Sequence, residues 1–228
     1  LPAVPEEVLS LPGVHYGIFT NGAVVRDFGK NIWVSESCLS WEETIRVIEV
    51  LRRHPVIYDM YVSEGGVSET RLLAQLEEYG IPERECAYIR ATRRAVTDMV
   101  EYLREKKCPV QKMNLNFKDR ESKQAVRAKL EAMPEVLVTS SLPWNLELNA
   151  AGITKGSGLR NLCQYLGIEA EETMAFGDGE NDWPMLEAAG IGVAMENGAP
   201  FLKERADRIA ASNREEGVAE AIRQWVLI

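Results

Sequence analysis

The stretch FGDGENDWPMLEAAG, residues 176–190, directly follows the apolar run Thr173 to Phe176 and packs Asp178, Glu180, Asn181 and Asp182 into five positions. A short apolar run that ends in Gly-Asp-Gly reads as a buried strand closing in a turn. In open α/β sheets ligands bind at the carboxyl ends of strands, where loops lead into helix N-termini. Pro184 suits the first turn of the next helix, and Asn181 or Asp182 can cap it. One cap needs one residue. Asp178, fixed between a strand end and two glycines, is therefore a candidate for chemistry.

Outward from this stretch the chain alternates strictly: helix 156–166, strand 173–176, helix 183–189, strand 191–195, helix 199–206, strand 207–211, helix 215–226. Such alternation with short loops implies right-handed βαβ crossovers and a parallel sheet. Upstream, VHYGIF (14–19) reads as one more short buried strand, ending at the turn Thr20-Asn21-Gly22. The block between is less regular, with strand-like VVRD, IWVSE, VIYDMYVS and VQKMNLNF among helix-like SWEETIRVIEVLRRH, SETRLLAQLEEYG, AVTDMVEYLREKK and DRESKQAVRAKLEAM. Ser40 with Glu43 fits a capping box, Ser68 and Asp119 suit N-caps, and Gly80 suits a left-handed helix end. Trp41, Ile45, Ile48 and Leu51 fall at helical spacing, and Met113, Leu115 and Phe117 alternate as in a half-buried strand. The expected fold is α/β: a Rossmann-like parallel-sheet core, residues 1–23 and 150–228, interrupted by an α+β insertion over 24–149. Leu1 opens the sequence inside a helix-like run, LPAVPEEVLSLPG, and a preceding segment is expected.

At 228 residues the chain has room for two packed units. A net charge of −9 lacks the basic excess that nucleic acid or anionic membranes demand. No apolar run reaches the roughly 18 residues of a membrane span, and nothing reads as an export signal, so the cytoplasm is the expected compartment. Cys38, Cys86, Cys108 and Cys163 are scattered and read as buried thiols; His15 and His54 stand apart from them. Any metal is therefore expected to be hard and oxygen-bound, magnesium or calcium. An EF-hand loop starting at Asp178 fails, because its sixth position is Trp183 and its twelfth Ala189.

In GITKGSGLRNLCQYLG, Thr154 or Lys155 opens a helix with Leu159, Leu162, Cys163 and Leu166 on one face. A lysine at the positive end of a helix is unfavourable unless an anion is also there. An anion held by Lys155 would be repelled by Asp178 unless a divalent cation lay between them. Phosphate with magnesium resolves that conflict, since magnesium takes one or two carboxylates, waters and substrate phosphate.

With these residues in place, ITKGSGL, MAFGDGENDWPMLEAAGIGVAMENG, ADRIAASNREEGVAEAI and FTNGAVV resemble the haloacid dehalogenase superfamily, specifically Cof-type phosphatases with a large α/β cap of the C2 type. The resemblance covers 16–25 and 152–223 closely, and the cap only in length and alternation. It implies a Mg2+-dependent phosphatase acting on small phosphorylated metabolites such as sugar phosphates, through a phosphoaspartyl intermediate. By position, Lys155 matches the family's phosphate-binding lysine, Asp178 its magnesium ligand and Asn181 its phosphate-contacting asparagine. Asp182 matches the second acidic position of the metal site, expected in its outer shell. The family's D-x-D nucleophile and general acid have no counterpart here: Asp27, Asp59, Asp98, Asp119, Asp178, Asp182 and Asp207 include no pair two apart. The resemblance thus implies that the nucleophile lies before Leu1, in a segment that is truncated, disordered or supplied as a separate N-terminal fragment. It implies too that these 228 residues alone are inactive.

The alternative is a non-catalytic phosphate-ligand binding or regulatory module that has lost the nucleophile. A phosphomutase would need a second phosphate site, which Lys106, Lys107 and Lys112 could supply, although a solvated basic face is the favoured reading of these lysines. Specificity is expected in the cap, with Trp144, Tyr61 or Met60 as pocket-lining or cap-core residues. Asn21-Gly22-Ala23 and Leu148 to Gly152 are the expected hinges.

Overall fold

The computed structural model describes residues 4 and 6–227. After a one-turn helix α1 (Glu6–Leu9), strands β1 (Tyr16–Phe19), β2 (Val24–Asp27) and β3 (Ile32–Glu36) form an antiparallel meander. The turn between β1 and β2 has positive φ at Thr20 (49°), Asn21 (59°) and Gly22 (94°). This left-handed turn folds β2 straight back onto β1. The expectation of a buried strand matching the parallel sheet is thereby corrected: β1 pairs antiparallel with β2, and all its residues are only half-buried. The change of unit expected after residue 23 falls inside this hairpin. The rest of the run LPAVP, residues 1–3 and 5, lies outside the described residues.

The next layer is built from α2 (Trp41–Leu51), β4 (Val56–Val62), β5 (Gly65–Glu69), α3 (Thr70–Leu73), α4 (Glu83–Thr92), β6 (Arg93–Val96), α5 (Met99–Lys106), β7 (Lys112–Phe117), α6 (Arg120–Glu131), β8 (Val136–Thr139) and β9 (Asn145–Ala150). Its sheet has the order β6-β5-β4-β7-β9-β8, antiparallel except for β5 with β6. Ser40 and Glu43 close the expected capping box on α2, and Asp119 caps α6. β7 buries Met113, Leu115 and Phe117, as their alternation predicts. Ser68 is not a cap: it lies in β5, where its Oγ donates to the Tyr58 carbonyl at 3.1 Å, and the helix begins at Thr70. The run expected as one helix over 68–80 breaks into α3 and a 3-10 turn, Leu76–Tyr79, which Gly80 closes at φ 70°. Helix α4 was not legible, because among its residues only Cys86 is buried, and the run expected as helix over 95–107 is corrected at its start: Ala95 and Val96 belong to β6, and α5 begins at Met99 behind the N-cap Asp98.

The last layer holds α7 (Lys155–Leu166), β10 (Met174–Gly177), α8 (Trp183–Ala188), β11 (Ile191–Met195), α9 (Pro200–Arg205), β12 (Arg208–Ala210) and α10 (Gly217–Trp225). β10, β11 and β12 pair in parallel, with Phe176 opposite Val193 and Val193 opposite Arg208, as the alternation predicts. α7 approaches its neighbours through glycines. A Cβ at Gly156 would stand 2.0 Å from the Pro184 carbonyl oxygen, and one at Gly158 2.8 Å from the Gly22 Cα. The expected apolar face of α7 is less covered: Cys163 is buried, while Leu159, Leu162 and Leu166 are half-buried.

Candidate active site

β10 ends at Gly177, and residues 178–182 turn back beneath its tip before α8. Gly177 is required there, since a Cβ would meet the Asp182 Cβ at 2.4 Å. Neither Asn181 nor Asp182 caps α8 through its side chain, which corrects the capping expectation. The Asp182 carboxylate instead folds back. Its Oδ2 accepts from the backbone N–H of Asp178 (2.8 Å) and Gly179 (2.9 Å), and its Oδ1 accepts from Lys155 Nζ at 2.5 Å. Lys155 opens α7 behind an N-cap from Thr154, whose Oγ1 accepts from Ser157 N–H at 3.0 Å while Ser157 Oγ accepts from Thr154 N–H at 2.9 Å. The anion called for beside this lysine is thus Asp182, a protein carboxylate.

Asp178 is exposed, and among the described residues its carboxylate accepts a single long bond, 3.3 Å, from Asn197 Nδ2 to Oδ2. Its carbonyl accepts from Ala199 N–H at 2.9 Å, which ties the loop after β11 to this turn. No group of three or more His, Cys, Asp or Glu side chains able to hold a metal occurs among the described residues. The donors nonetheless suit a hard cation in kind. Asp178 offers an open carboxylate, whereas Asp182, with both oxygens engaged by the protein, is suited to hold the loop and Lys155 in place.

Asn181 is buried, and its Nδ2 donates to Glu147 Oε2 at 3.0 Å and to Asn21 Oδ1 at 3.4 Å. Glu147, in the middle of β9, is 6% exposed and collects further donors: Asn21 Nδ2 at 2.8 Å, Lys112 Nζ at 2.9 Å and Ser141 Oγ at 3.1 Å. Burial pushes its carboxyl up, but the Lys112 ammonium and the bonds from Asn21, Lys112 and Ser141 outweigh it and hold the group below the ordinary carboxylate value. Asn149 extends this cluster. It accepts from Asn21 Nδ2 at 3.2 Å and donates to the carbonyls of Thr20 (2.8 Å) and Gln111 (2.9 Å). The two segments expected as hinges are therefore hydrogen-bonded to each other.

Four named residues are thus brought into two adjoining clusters, Lys155 with Asp182 and the Asp178 turn, and Asn181 with Glu147. Glu147 and Ser141 carry no expectation from the sequence, and Asn21, Asn149 and Lys112 are expected there only as hinge or second-phosphate residues. A signal existed: Asn145, Glu147 and Asn149 form a polar stripe at strand period in WNLELN, and all three are buried. Of the other candidates, Met60 is buried in the hydrophobic cluster of the six-stranded layer, Tyr61 lines a cavity of about 230 Å³ together with Lys112, and Trp144 is 42% exposed on a 590 Å³ groove. Lys106 and Lys107 are exposed, Lys106 pairing with Glu105. Arg127 of α6 meets Glu180 of the turn at 2.7 Å. No described helix is long and apolar enough to cross a membrane.

A family model described as haloacid dehalogenase-like hydrolase matches residues 5–222. Over 116 residues the chain is 42% identical to 5-amino-6-(5-phospho-D-ribitylamino)uracil phosphatase YcsE of Bacillus subtilis, covering 51% of this chain and 47% of that protein. Over 96 residues it is 40% identical to the phosphoglycolate phosphatase of Methanosarcina acetivorans, covering 42% of each. The chain spans about half the length of the curated relatives it matches. A haloacid dehalogenase-like hydrolase structure from B. subtilis superposes with a TM-score of 0.82 at 24% identity, over 94% of this chain and 81% of that one, a likeness of fold.

Proposed function

The chain belongs to the haloacid dehalogenase-like hydrolase family, and from that premise we propose that the intact protein is a magnesium-dependent phosphatase of small phosphorylated metabolites, sugar phosphates among them. The observation that carries this reading is the Asp182 carboxylate, which ties Lys155 at the start of α7 to the backbone of the Asp178 turn. Lys155 would hold charge on the phosphoryl oxygens, and Asn181 would orient the group. Asp178 would hold the magnesium, with Asp182 positioning both. When bound, the metal supplies neutralisation of phosphoryl charge. The family's phosphoaspartyl route uses a D-x-D pair, and no two of the seven aspartates of this sequence stand two apart. In this reading the layer from α2 to β9 is the cap, and the meander β1–β3 belongs with the core.

The relatives' names span a ribitylaminouracil phosphate and phosphoglycolate, which supports the class of substrate and leaves its identity to experiment. The test is turnover of a panel of sugar phosphates, phosphorylated cofactors and p-nitrophenyl phosphate by the intact protein, with and without magnesium. Lys155→Ala and Asp178→Ala are expected to lower kcat by about 10²–10³-fold. Binding of phosphorylated ligands with no turnover of any would favour the non-catalytic module instead.

A further inference from the structure

Glu147 is a buried acid whose partners come from four separate segments: Lys112 on β7, Ser141 in the β8–β9 turn, Asn21 after β1 and Asn181 after β10. Two of these segments belong to the six-stranded layer, one is the β1–β2 turn of the meander, and one is the turn that follows β10 of the parallel sheet. An isolated buried carboxylate is costly, and four donors on two oxygens offset that cost. They also spend the donors. An amide nitrogen carries two hydrogens, and Asn181 Nδ2 directs them to Glu147 Oε2 at 3.0 Å and Asn21 Oδ1 at 3.4 Å. In this arrangement Asn181 has no hydrogen left for a ligand. A phosphate oxygen bonded to that nitrogen at about 3 Å would also stand within about 6 Å of Glu147 Oε2, so two anions would compete for one donor.

We infer that Glu147 is a positioning residue that acts as an internal anion: it holds Asn181 and Lys112 while the site is free of ligand and surrenders Asn181 when a phosphoryl group arrives. Phosphate capture by the core is thereby coupled to the seating of the six-stranded layer, because the same carboxylate holds both. The inference rests on the reading of Asn181 as a phosphate contact. A carboxylate that served only as a structural latch would make the opposite prediction, since loosening it would weaken the site.

The test is calorimetric titration of the intact protein with inorganic phosphate, comparing the wild type with Glu147→Gln and Lys155→Ala. Removing the competing charge is expected to tighten phosphate binding by roughly three- to tenfold, and Lys155→Ala to weaken it by about tenfold or more. Weaker binding by Lys155→Ala with unchanged or weaker binding by Glu147→Gln overturns the inference and leaves the phosphate site standing. No phosphate binding by any of the three removes the phosphate site and the inference with it. Glutamine can accept on only one side, so the variant can disturb folding. A second measurement needs no variant. In 15N-labelled wild type, inorganic phosphate is expected to shift the side-chain amide signals of Asn21 and Asn181 together; unmoved amides at saturating phosphate overturn the inference.

Discussion

The six-stranded layer and the parallel three-stranded layer are held by different forces. Every buried member of the larger hydrophobic cluster lies between Leu39 and Leu148, and it includes Leu115, Met113 and Leu130, none with any exposed surface. Around the parallel sheet the buried apolar groups are few and split: Ala175, Leu186, Ala194 and Leu202 in one cluster, and Val193, Met195, Ala210 and Ala221 in another. What fixes the geometry there is close backbone approach at Gly156 and Gly158, together with polar bonds to Asp182 and Glu147. The difference teaches where each kind of substitution should tell: volume changes in the larger layer, and charge and Cβ changes in the smaller.

The largest effect is expected from Leu115→Ala, which empties a fully buried position and should cost about 2–5 kcal/mol in chemical denaturation. Leu202→Ala, in the smaller cluster, should cost less; equal losses would break the comparison. Asp182→Asn removes the charge that accepts from Lys155 and two backbone amides, and should cost about 1.5–3 kcal/mol; under the proposed function it should also lower turnover by the intact protein. Gly156→Ala forces a methyl against the Pro184 carbonyl, and should cost about 1–3 kcal/mol while leaving amide exchange in β4 and β7 unchanged.

Acid sharpens the contrast further. The Glu147 carboxyl lies below its ordinary value of 4.5 in the folded protein, so its contribution to stability is complete above that pH and fades as pH falls through the lowered folded value. Denaturation midpoints measured from pH 7 downward should decline in the wild type and be flatter in Glu147→Gln. The smallest effect should come from Arg127→Ala, since the pair with Glu180 is partly exposed. A double-mutant cycle with Glu180→Ala should return about 0.2–1 kcal/mol.

Much of the fold was legible because its signals are local. The strict alternation after residue 150, the Ser40–Glu43 box and the burial pattern of β7 each depend on residues within a few positions of one another. The placement of Asp178 at a strand end was legible for the same reason, as an apolar run followed by glycines determines it. The pairing of β1 was not legible, because an apolar hexapeptide does not say which strand it will pair with, and the left-handed turn at 20–22 gives it a neighbour in sequence.

By itself, then, the sequence determined the alternation of elements, the tip of β10 and the residue types gathered there. Only the tertiary structure decided what those residues do to one another. It gave the Asp182 carboxylate to Lys155 and the Asp178 turn rather than to a helix cap, and it brought Glu147 to Asn181 from 34 residues away and to Asn21 from 126. The physical reason is that a buried carboxylate must find its donors wherever packing delivers them, and packing is a property of the whole chain.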